Sequence, residues 1–248
     1  MNMLLGKYAV VTGAAKGIGA STVARFLEEG VAGVALVDMN LEAAQATARA
    51  LDPTGKRAIA FACNVANFDD VTRCFNQIIE TFGRIDILVN NAGITRDKTM
   101  MKMPVEDWHA VLAVDLTSLF YCCKQVLPGM IRQQYGKIIN MSSLGYFGAH
   151  GQGNYAAAKY GVLGLTRVLA KEYAKYNITA NAVCPAAVAT DMLKDMVPEV
   201  LESRLKLFPR GRAAQPEELA GVITYLASDD SSFVNGEKII VTDGRVCC

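Results

Sequence analysis

Short apolar runs alternate along this chain with longer segments in which apolar residues recur at helical spacing. Apolar runs of this length are typical of parallel strands that are buried on both faces of a sheet. The pattern predicts seven strands, at residues 8–12, 34–38, 57–62, 85–89, 136–143, 178–185 and 238–241. Between the strands it predicts helices at residues 20–30, 41–51, 69–82, 104–133, 156–176 and 216–228. Pro128 is expected to bend or end the longest helix. The alternation indicates a single doubly wound α/β domain over residues 1–248.

One long segment, residues 186–213, follows neither the helical nor the strand period and contains Pro198 and Pro209. Long irregular loops in compact domains are often functional, and many close over an active site. We therefore expect this segment to form a substrate lid. Its apolar side chains suit an acyl chain or another bulky apolar substrate, and they are Met192, Leu193, Met196 and Val197.

A glycine-rich turn joins the first strand to the first helix, with Gly13, Gly17 and Gly19 in the spacing G-x-x-x-G-x-G. A strand, a glycine turn and a helix in this order let the backbone approach a pyrophosphate at the helix N-terminus. Such turns also serve tight packing alone. Asp38 ends the second strand, where a carboxylate can bind the adenine ribose hydroxyls and repel a 2′-phosphate. Its alternative role is to cap the helix at residues 41–51.

Tyr155 and Lys159 lie four residues apart in an Ala-rich predicted helix, so they share one face of it. A phenol is a weak acid, with a reference pKa of about 10. An ammonium about 4 Å away, at an effective dielectric constant of about 20, favours the phenolate by roughly 4 kcal/mol. Such a tyrosine can exchange a proton with a substrate oxygen near neutral pH. A Y-x-x-x-K pair alone is more often an ordinary surface pair, so its meaning depends on the other motifs.

The amino-acid composition indicates the class of protein and the partners that it is expected to bind. Apolar residues make up 52% of the 248 residues and charged residues 20%, which is typical of a globular protein and not of a disordered one. A net charge of +1 without a basic run favours neither nucleic acid nor an anionic membrane as a partner. We expect no signal peptide and no membrane span. The seven cysteines, without C-x-x-C spacing, predict reduced cytoplasmic thiols and neither a disulfide framework nor a metal site.

Five motifs occur in the order that is typical of one enzyme family: Thr12-Gly13-x3-Gly17-Ile18-Gly19, Asn90-Asn91-Ala92-Gly93, Ser142-Ser143, Tyr155-x3-Lys159 and Asn181-x3-Pro185. With them the chain resembles the short-chain dehydrogenases/reductases over essentially its whole length. The resemblance implies a Rossmann-type fold, with a parallel sheet in the order 3-2-1-4-5-6-7 and helices on both faces. It also implies hydride transfer between a nicotinamide cofactor and a carbonyl or secondary alcohol, and a homotetramer.

The resemblance implies a role for each matching residue. Tyr155 would be the general acid in carbonyl reduction and the base in alcohol oxidation. Lys159 would favour the ionised phenol and hold the nicotinamide ribose, and a serine hydroxyl would bind the substrate carbonyl. The cofactor contacts of the family fall on Gly13, Lys16, Gly17, Ile18, Gly19, Asp38, Asn64, Val65, Asn91, Ala92, Gly93, Tyr155, Lys159, Pro185, Val188 and Thr190.

Two neighbouring serines compete for the catalytic position. Counted along the strand from Gly136, Ser143 stands where the family has its catalytic serine. Counted back from Tyr155, the usual spacing of the family falls on Ser142. We favour Ser143, because strand register sets side-chain direction whereas loops absorb deletions more easily.

Three positions depart from the family pattern. Asp115 stands where the family has an asparagine as its fourth catalytic residue. A carboxylate near Lys159 would offset part of the field that favours the Tyr155 phenolate, unless it points aside and is held by helix amides. Asn64 replaces an aspartate that contacts adenine, and an amide can make that contact. Ala186 replaces a glycine, which leaves the cofactor loop slightly less free.

Within the family, the closest resemblance is to the 3-oxoacyl thioester reductases of the acyl-carrier-protein and acetoacetyl-CoA type. It is carried by the segments at 91–97, 101–103 and 116–120 and by Trp108. Those enzymes mostly use NADPH, whereas Asp38 favours NADH even though Lys16 could bind a phosphate. The basic positions that would dock an acyl carrier protein carry Gln134 and Tyr176 instead, although Arg132 and Lys175 lie close to them. This weakens the acyl-carrier role and leaves a CoA thioester, a ketone or a steroid as open alternatives.

We therefore predict a cytoplasmic NAD(H)-dependent oxidoreductase whose best candidate substrate is a 3-oxoacyl thioester of CoA or acyl carrier protein. The alternative among enzymes is a hydroxysteroid dehydrogenase or another secondary-alcohol dehydrogenase. The alternative from another class is a weakly catalytic nucleotide-binding protein, which the aspartate at position 115 motivates. A metal, a nucleic acid and a membrane are not among the expected partners.

Overall fold

The computed structural model describes residues 2–190, 193 and 198–245, without the side chains of residues 198–200 and 204. Within them, seven parallel strands form one sheet in the predicted order β3-β2-β1-β4-β5-β6-β7. The strands are β1 Tyr8–Thr12, β2 Gly33–Asp38, β3 Ala58–Ala62, β4 Ile87–Asn90, β5 Gly136–Met141, β6 Ile178–Pro185 and β7 Lys238–Val241.

Helices cover both faces of this sheet, as a parallel sheet requires. In the described part of the chain they are α1 Gly17–Glu28, α2 Leu41–Leu51, α3 Phe68–Phe82, α4 Val105–Leu112, α5 Ser118–Gln133, α6 Gly153–Tyr173, α7 Pro198–Leu205 and α8 Pro216–Ala227. Because successive strand residues point to opposite faces, each strand supplies two cores. Val11 packs with Phe26 of α1 on one face, and Val10 packs with Phe75 of α3 on the other. Each fully buried side chain of this size contributes about 1.5–3 kcal/mol.

The two halves of the sheet meet at β1, which pairs with β2 on one side and with β4 on the other. From β1 the strands follow in chain order towards β3 on one side and, through β4, towards β7 on the other. The loops that leave the carboxyl ends of β1 and β4 therefore diverge. Ligands of doubly wound sheets bind in the crevice that forms at such a point. The fold therefore places the ends of β1 and β4 at the expected ligand site.

The long helix predicted at residues 104–133 differs from the structure in two ways. A π-helical segment, Ala113–Thr117, separates α4 from α5. Pro128, in contrast, lies inside α5 and does not end it. A proline removes one helical hydrogen bond, but Val126 and Met130 are buried against the sheet and hold α5 in place. Tertiary packing therefore outweighs the local preference.

Two further predictions need correction. The fifth strand ends at Met141, so Ser142 and Ser143 follow it and do not belong to it. The segment at residues 186–213 is not irregular throughout, because it contains α7 and a bridge between Val188 and Ala214. Of the predicted lid side chains, Leu193 is described, whereas Met192, Met196 and Val197 lie outside the described residues. The lid itself stays a prediction.

One helical run of the described chain, Val105–Gln133, is long and apolar enough to cross a membrane by length and composition. A buried core helix passes the same test, and α5 within this run packs on the sheet. The run is therefore weak evidence for a membrane span. Five cysteines lie in the described part, where they are buried and form no disulfide: Cys63, Cys74, Cys122, Cys123 and Cys184.

Candidate active site

A cleft of about 1390 Å³ opens at the carboxyl ends of the central strands. All predicted site residues belong to the described part of the chain, and all of them except Gly19 line this cleft. They are Gly13, Lys16, Gly17, Ile18, Asp38, Asn64, Val65, Asn91, Ala92, Gly93, Asp115, Ser142, Ser143, Tyr155, Lys159, Pro185, Val188 and Thr190. The fold thus gathers residues from nearly every loop at this edge of the sheet into one site.

The glycine-rich turn is held tightly at the floor of the cleft. Gly13 has a φ of +63°, and a Cβ there would lie 2.8 Å from the backbone of Ala92. A Cβ on Gly19 would lie 2.3 Å from the carbonyl oxygen of Gly13. Gly19 therefore packs beneath the turn, where a side chain would collide with the backbone. Asn91 locks the turn from β4, because its Nδ2 donates to the carbonyl oxygens of Thr12 and Gly13 at 2.9 and 3.0 Å.

The amino end of α1 faces this turn, and no side chain caps it. Its first backbone amides lack helical acceptors, and the helix dipole makes this end positive. An uncapped helix end behind a glycine turn suits a pyrophosphate. The residues present therefore fit a dinucleotide.

Asp38 lies beside the turn at the end of β2. Its Oδ2 accepts a hydrogen bond from the amide of Ala15 at 3.1 Å, and its Oδ1 accepts one from the amide of Asn40 at 3.0 Å. The cap of α2 is Asn40, whose Oδ1 accepts from the amide of Ala43 at 3.0 Å. The alternative in which Asp38 caps the helix at residues 41–51 is therefore wrong.

Tyr155 lies in the first turn of α6, and Lys159 follows it one turn later. The Lys159 Nζ lies 5.6 Å from the centroid of the Tyr155 ring. Only 4% of the Lys159 residue is exposed, and its Nζ donates to the carbonyl oxygen of Met141 at 3.0 Å. The ammonium is thus fixed between β5 and α6, within electrostatic reach of the phenol.

Asp115 sits in the π-helical segment and is fully buried. Its Oδ2 lies 3.1 Å from the Lys159 Nζ without forming an aligned hydrogen bond, and its Oδ1 accepts from the amide of Ile94 at 2.8 Å. The alternative in which helix amides hold this side chain is wrong, because the amide belongs to the loop after β4. The carboxylate contacts Lys159 directly.

Burial and ion pairing have opposite effects on the pKa values of Asp115 and Lys159. Burial raises the pKa of Asp115, and the nearby Lys159 ammonium and the Ile94 amide oppose that rise. Burial is the largest single influence on Lys159 and lowers its pKa, but the negative charges of Asp115, Tyr155 and Cys184 together outweigh burial, so the pKa of Lys159 is raised. A lysine this deeply buried therefore keeps its charge because it has a carboxylate partner.

The two serines have different surroundings. Ser142 is 3% exposed, and its Oγ donates to the carbonyl oxygen of Lys159 at 2.8 Å. Ser143 is half-buried, and its Oγ accepts from the amide of Gly145 at 3.0 Å. A Cβ built on Gly145 would lie 3.3 Å from the Ser143 Oγ and 2.9 Å from the Tyr155 ring, so these groups meet around that glycine. The catalytic roles stay predictions, and the geometry favours Ser143.

Sequence reasoning missed Asn154, which is fully buried. Its Nδ2 donates to the carbonyl oxygens of Arg96 and Asp107 at 3.1 and 3.3 Å, and its Oδ1 accepts from the amide of Tyr155 at 2.7 Å. This side chain ties the start of α6 to α4 and to the loop after β4. The available signal was an amide residue in an otherwise apolar helix start, which indicates a local backbone contact.

A family model described as Enoyl-(Acyl carrier protein) reductase matches residues 13–245 of the chain. The chain belongs to the short-chain dehydrogenase/reductase family. This confirms the family resemblance and makes the chain an oxidoreductase of a family that works with a nicotinamide cofactor. The described geometry of the glycine turn fits that cofactor.

Relatives of this short-chain dehydrogenase/reductase match it from end to end. It is 42% identical over 248 residues to a 3-oxoacyl-[acyl-carrier-protein] reductase of Synechocystis, covering 99% of both chains. It is 41% identical to the enzyme of that name from Thermotoga maritima, with 98% of this chain and 99% of the relative covered. The corresponding protein of Chlamydia pneumoniae is 40% identical, with 97% of each chain covered.

Proposed function

We propose that this chain reduces the 3-oxo group of an acyl thioester, carried by CoA or acyl carrier protein, to the 3-hydroxy compound with NADH. The observation that carries the proposal is that Tyr155, Ser143 and Lys159 line one cleft beside the glycine turn. The full-length relatives named as 3-oxoacyl reductases support the choice of substrate.

In the proposed reaction, a nicotinamide cofactor held by the glycine turn and Lys159 would supply the hydride that the carbonyl carbon receives. Ser143 and Tyr155 donate hydrogen bonds to the carbonyl oxygen and stabilise the negative charge that develops there. Tyr155 then gives its proton to that oxygen, which completes the alcohol, and solvent restores the proton. Lys159 stabilises the phenolate left behind, because its buried ammonium lies 5.6 Å from the ring centroid.

The proposed preference for NADH rests on Asp38. Its carboxylate lies at the end of β2, beside the glycine turn, and lines the cleft. It accepts hydrogen bonds from ribose hydroxyls but repels a 2′-phosphate. Lys16 lines the same part of the cleft and attracts phosphate, so the preference is set by the balance of these two charges.

The test is turnover of a panel of substrates with NADH, followed by NADH absorbance. We expect acetoacetyl-CoA or acetoacetyl-acyl carrier protein to be reduced faster than a ketosteroid or crotonyl-CoA. Fastest turnover of crotonyl-CoA would instead identify an enoyl reductase, the activity in the description of the matching family model. Lack of turnover throughout the panel would contradict the proposal and favour a nucleotide-binding protein.

Tyr155→Phe tests the proposed role of Tyr155, because it removes only the hydroxyl that donates the proton. We expect kcat to fall at least about 100-fold while NADH binding, measured by fluorescence, stays near that of the native protein. Tyr225→Phe is the control, since this phenol is 40% exposed at the far end of α8. It should leave kcat within about twofold of the native value.

We also propose a cytoplasmic homotetramer. Support comes from apolar side chains exposed on the outer faces of α5 and α6, where Phe120 is 51% and Val168 48% exposed. Exposed apolar side chains on adjacent helices favour association. Light scattering after size-exclusion chromatography measures the state, and a monomer at micromolar concentration would contradict the proposal.

A further inference from the structure

The buried ion pair between Asp115 and Lys159 joins three parts of the site. Asp115 comes from the π-helical segment, Lys159 from α6, and Gly93 lies between them after β4. A Cβ on Gly93 would lie 2.9 Å from the Asp115 Oδ2 and 3.5 Å from the Lys159 Nζ. A glycine at this position therefore leaves the space in which the two charges meet.

The Lys159 ammonium contacts a backbone carbonyl oxygen and the Asp115 carboxylate. An ammonium has three N–H groups and no acceptor. One donates to the carbonyl oxygen of Met141 and a second faces the Asp115 Oδ2. An asparagine would offer no charge in place of the carboxylate, so the difference between the two residues at position 115 is chiefly electrostatic.

Other ionisable groups face Lys159 from the elements packed around it. Tyr155 lies on α6 itself, and Cys184 approaches from β6. Burial raises the pKa of Cys184, so its thiol stays neutral near physiological pH. Arg96 and Asp97, on the loop after β4, line the open part of the cleft and carry opposite charges. Asp115 is therefore the fixed negative charge in contact with the ammonium.

We propose that Asp115 is a positioning residue that serves as the counter-ion of Lys159, and that its charge moves the working pH range of this site to higher pH. This rests on the proposed function. The carboxylate offsets part of the ammonium field at the phenol, so alcohol oxidation, which needs the phenolate, begins at higher pH. Ketone reduction, which needs the phenol, continues to higher pH for the same reason.

The carboxylate also keeps the buried lysine charged. Burial lowers the pKa of Lys159 and the charge of Asp115 raises it, so an uncharged residue at position 115 makes the ammonium lose its proton at lower pH. The acidic and the alkaline limbs of the oxidation profile therefore move in the same direction. A purely structural role of Asp115 would change the height of the profile and leave the midpoints where they are.

The experiment compares the pH profiles of kcat/KM for reduction and oxidation in the native protein and in Asp115→Asn. We expect both midpoints of oxidation to fall by at least about half a pH unit in the variant. Asp229→Asn is the charge-matched control, because Asp229 binds Lys7 and Tyr135 at the opposite end of the sheet. Its profile should superimpose on the native one. Superimposable profiles for Asp115→Asn would overturn the proposal.

A second measurement separates failure of this inference from failure of the proposed function. Tyrosinate absorbance is titrated with and without Tyr155→Phe, in the native and the Asp115→Asn backgrounds, and needs no turnover. The ionisation that Tyr155→Phe removes is that of the Tyr155 phenol. Its midpoint should lie at lower pH in the Asp115→Asn background than in the native one. Equal midpoints would overturn the proposal even if the enzyme is active. If Asp115→Asn does not fold, Asp115→Ser takes its place in both measurements. Thermal unfolding checks that the variant used is folded.

Discussion

The backbone amide of Ala15 donates a hydrogen bond to the carboxylate of Asp38 at 3.1 Å. This bond links the glycine-rich turn to the end of β2. Since the amide of Asn40 binds the other carboxylate oxygen, the side chain is oriented before any ligand arrives. Because this pre-oriented carboxylate lies next to the proposed ribose position, cofactor choice is the most direct property to measure.

The first prediction concerns that choice. The native protein should prefer NADH to NADPH by at least about tenfold in kcat/KM, which corresponds to about 1.4 kcal/mol. Asp38→Ala should narrow the ratio, chiefly by removing repulsion of the 2′-phosphate. Lys16→Ala is the opposite control, because it should weaken NADPH more than NADH. Equal use of the two cofactors by the native protein would refute the assignment.

The second prediction distinguishes the two serines. Ser143→Ala should lower kcat by about 100-fold, because it removes a donor to the developing oxyanion. Ser142→Ala should act mainly on stability, at about 1 kcal/mol, since its hydroxyl binds the carbonyl oxygen of Lys159. Steady-state kinetics and urea unfolding of both variants check this. The reverse order of the kinetic effects would make Ser142 the catalytic residue.

The third prediction concerns Asn154, whose three hydrogen bonds fix the start of α6. Asn154→Ala should lower kcat at least about tenfold, because a displaced Tyr155 is poorly placed for proton transfer. Asn235→Ala is the matched control. Its side chain also joins two backbone segments, through Ala170 and Ala180, but away from the cleft. Both variants should lose stability, and only Asn154→Ala should lose kcat. Equal kinetic losses would contradict a positioning role.

Much of the fold was predictable because its signals are local. The bounds of β6 and β7 match the predicted ones, since each is a mostly apolar run between turn residues. Pro128 was the misleading signal, because packing on the sheet outweighs its local preference and α5 continues to Gln133, the predicted end. The π-helical segment was missed for a similar reason: its Asp115 is held by Ile94 and Lys159, which are distant in sequence.

The same distinction applies to the site. Motif spacing indicated Tyr155 and Lys159 and the glycine turn, because each set lies within one short segment. The function of Asn154 depends on carbonyl oxygens 58 and 47 residues away, so spacing carries no signal for it. The contact between Asp115 and Lys159 was one of two alternatives until the fold brought the π-helical segment against α6.

The last prediction concerns stability in acid and rests on Asp52, at the carboxyl end of α2. Asp52 is 4% exposed, and its carboxylate accepts from the hydroxyl of Thr54 at 2.5 Å and from the amides of Arg57 and Ala58 at 2.7 and 3.1 Å. The Thr54 hydroxyl, followed by these amides, holds the pKa of Asp52 far below its usual range despite burial. The ionised form is thus bound much better in the folded state.

Because the folded pKa of Asp52 is depressed, its stabilisation is fully present above the unfolded value of about 3.9 and is lost as pH falls through the folded value. Asp52→Asn should therefore lower the free energy of unfolding by about 2 kcal/mol at pH 7. The difference from the native protein should shrink as the pH falls below about 4, which urea unfolding across this range measures. Glu80→Gln, exposed on α3, should cost less than about 0.5 kcal/mol at either pH. A loss that is the same at pH 7 and in acid would mean that Asp52 acts through packing and not through its charge.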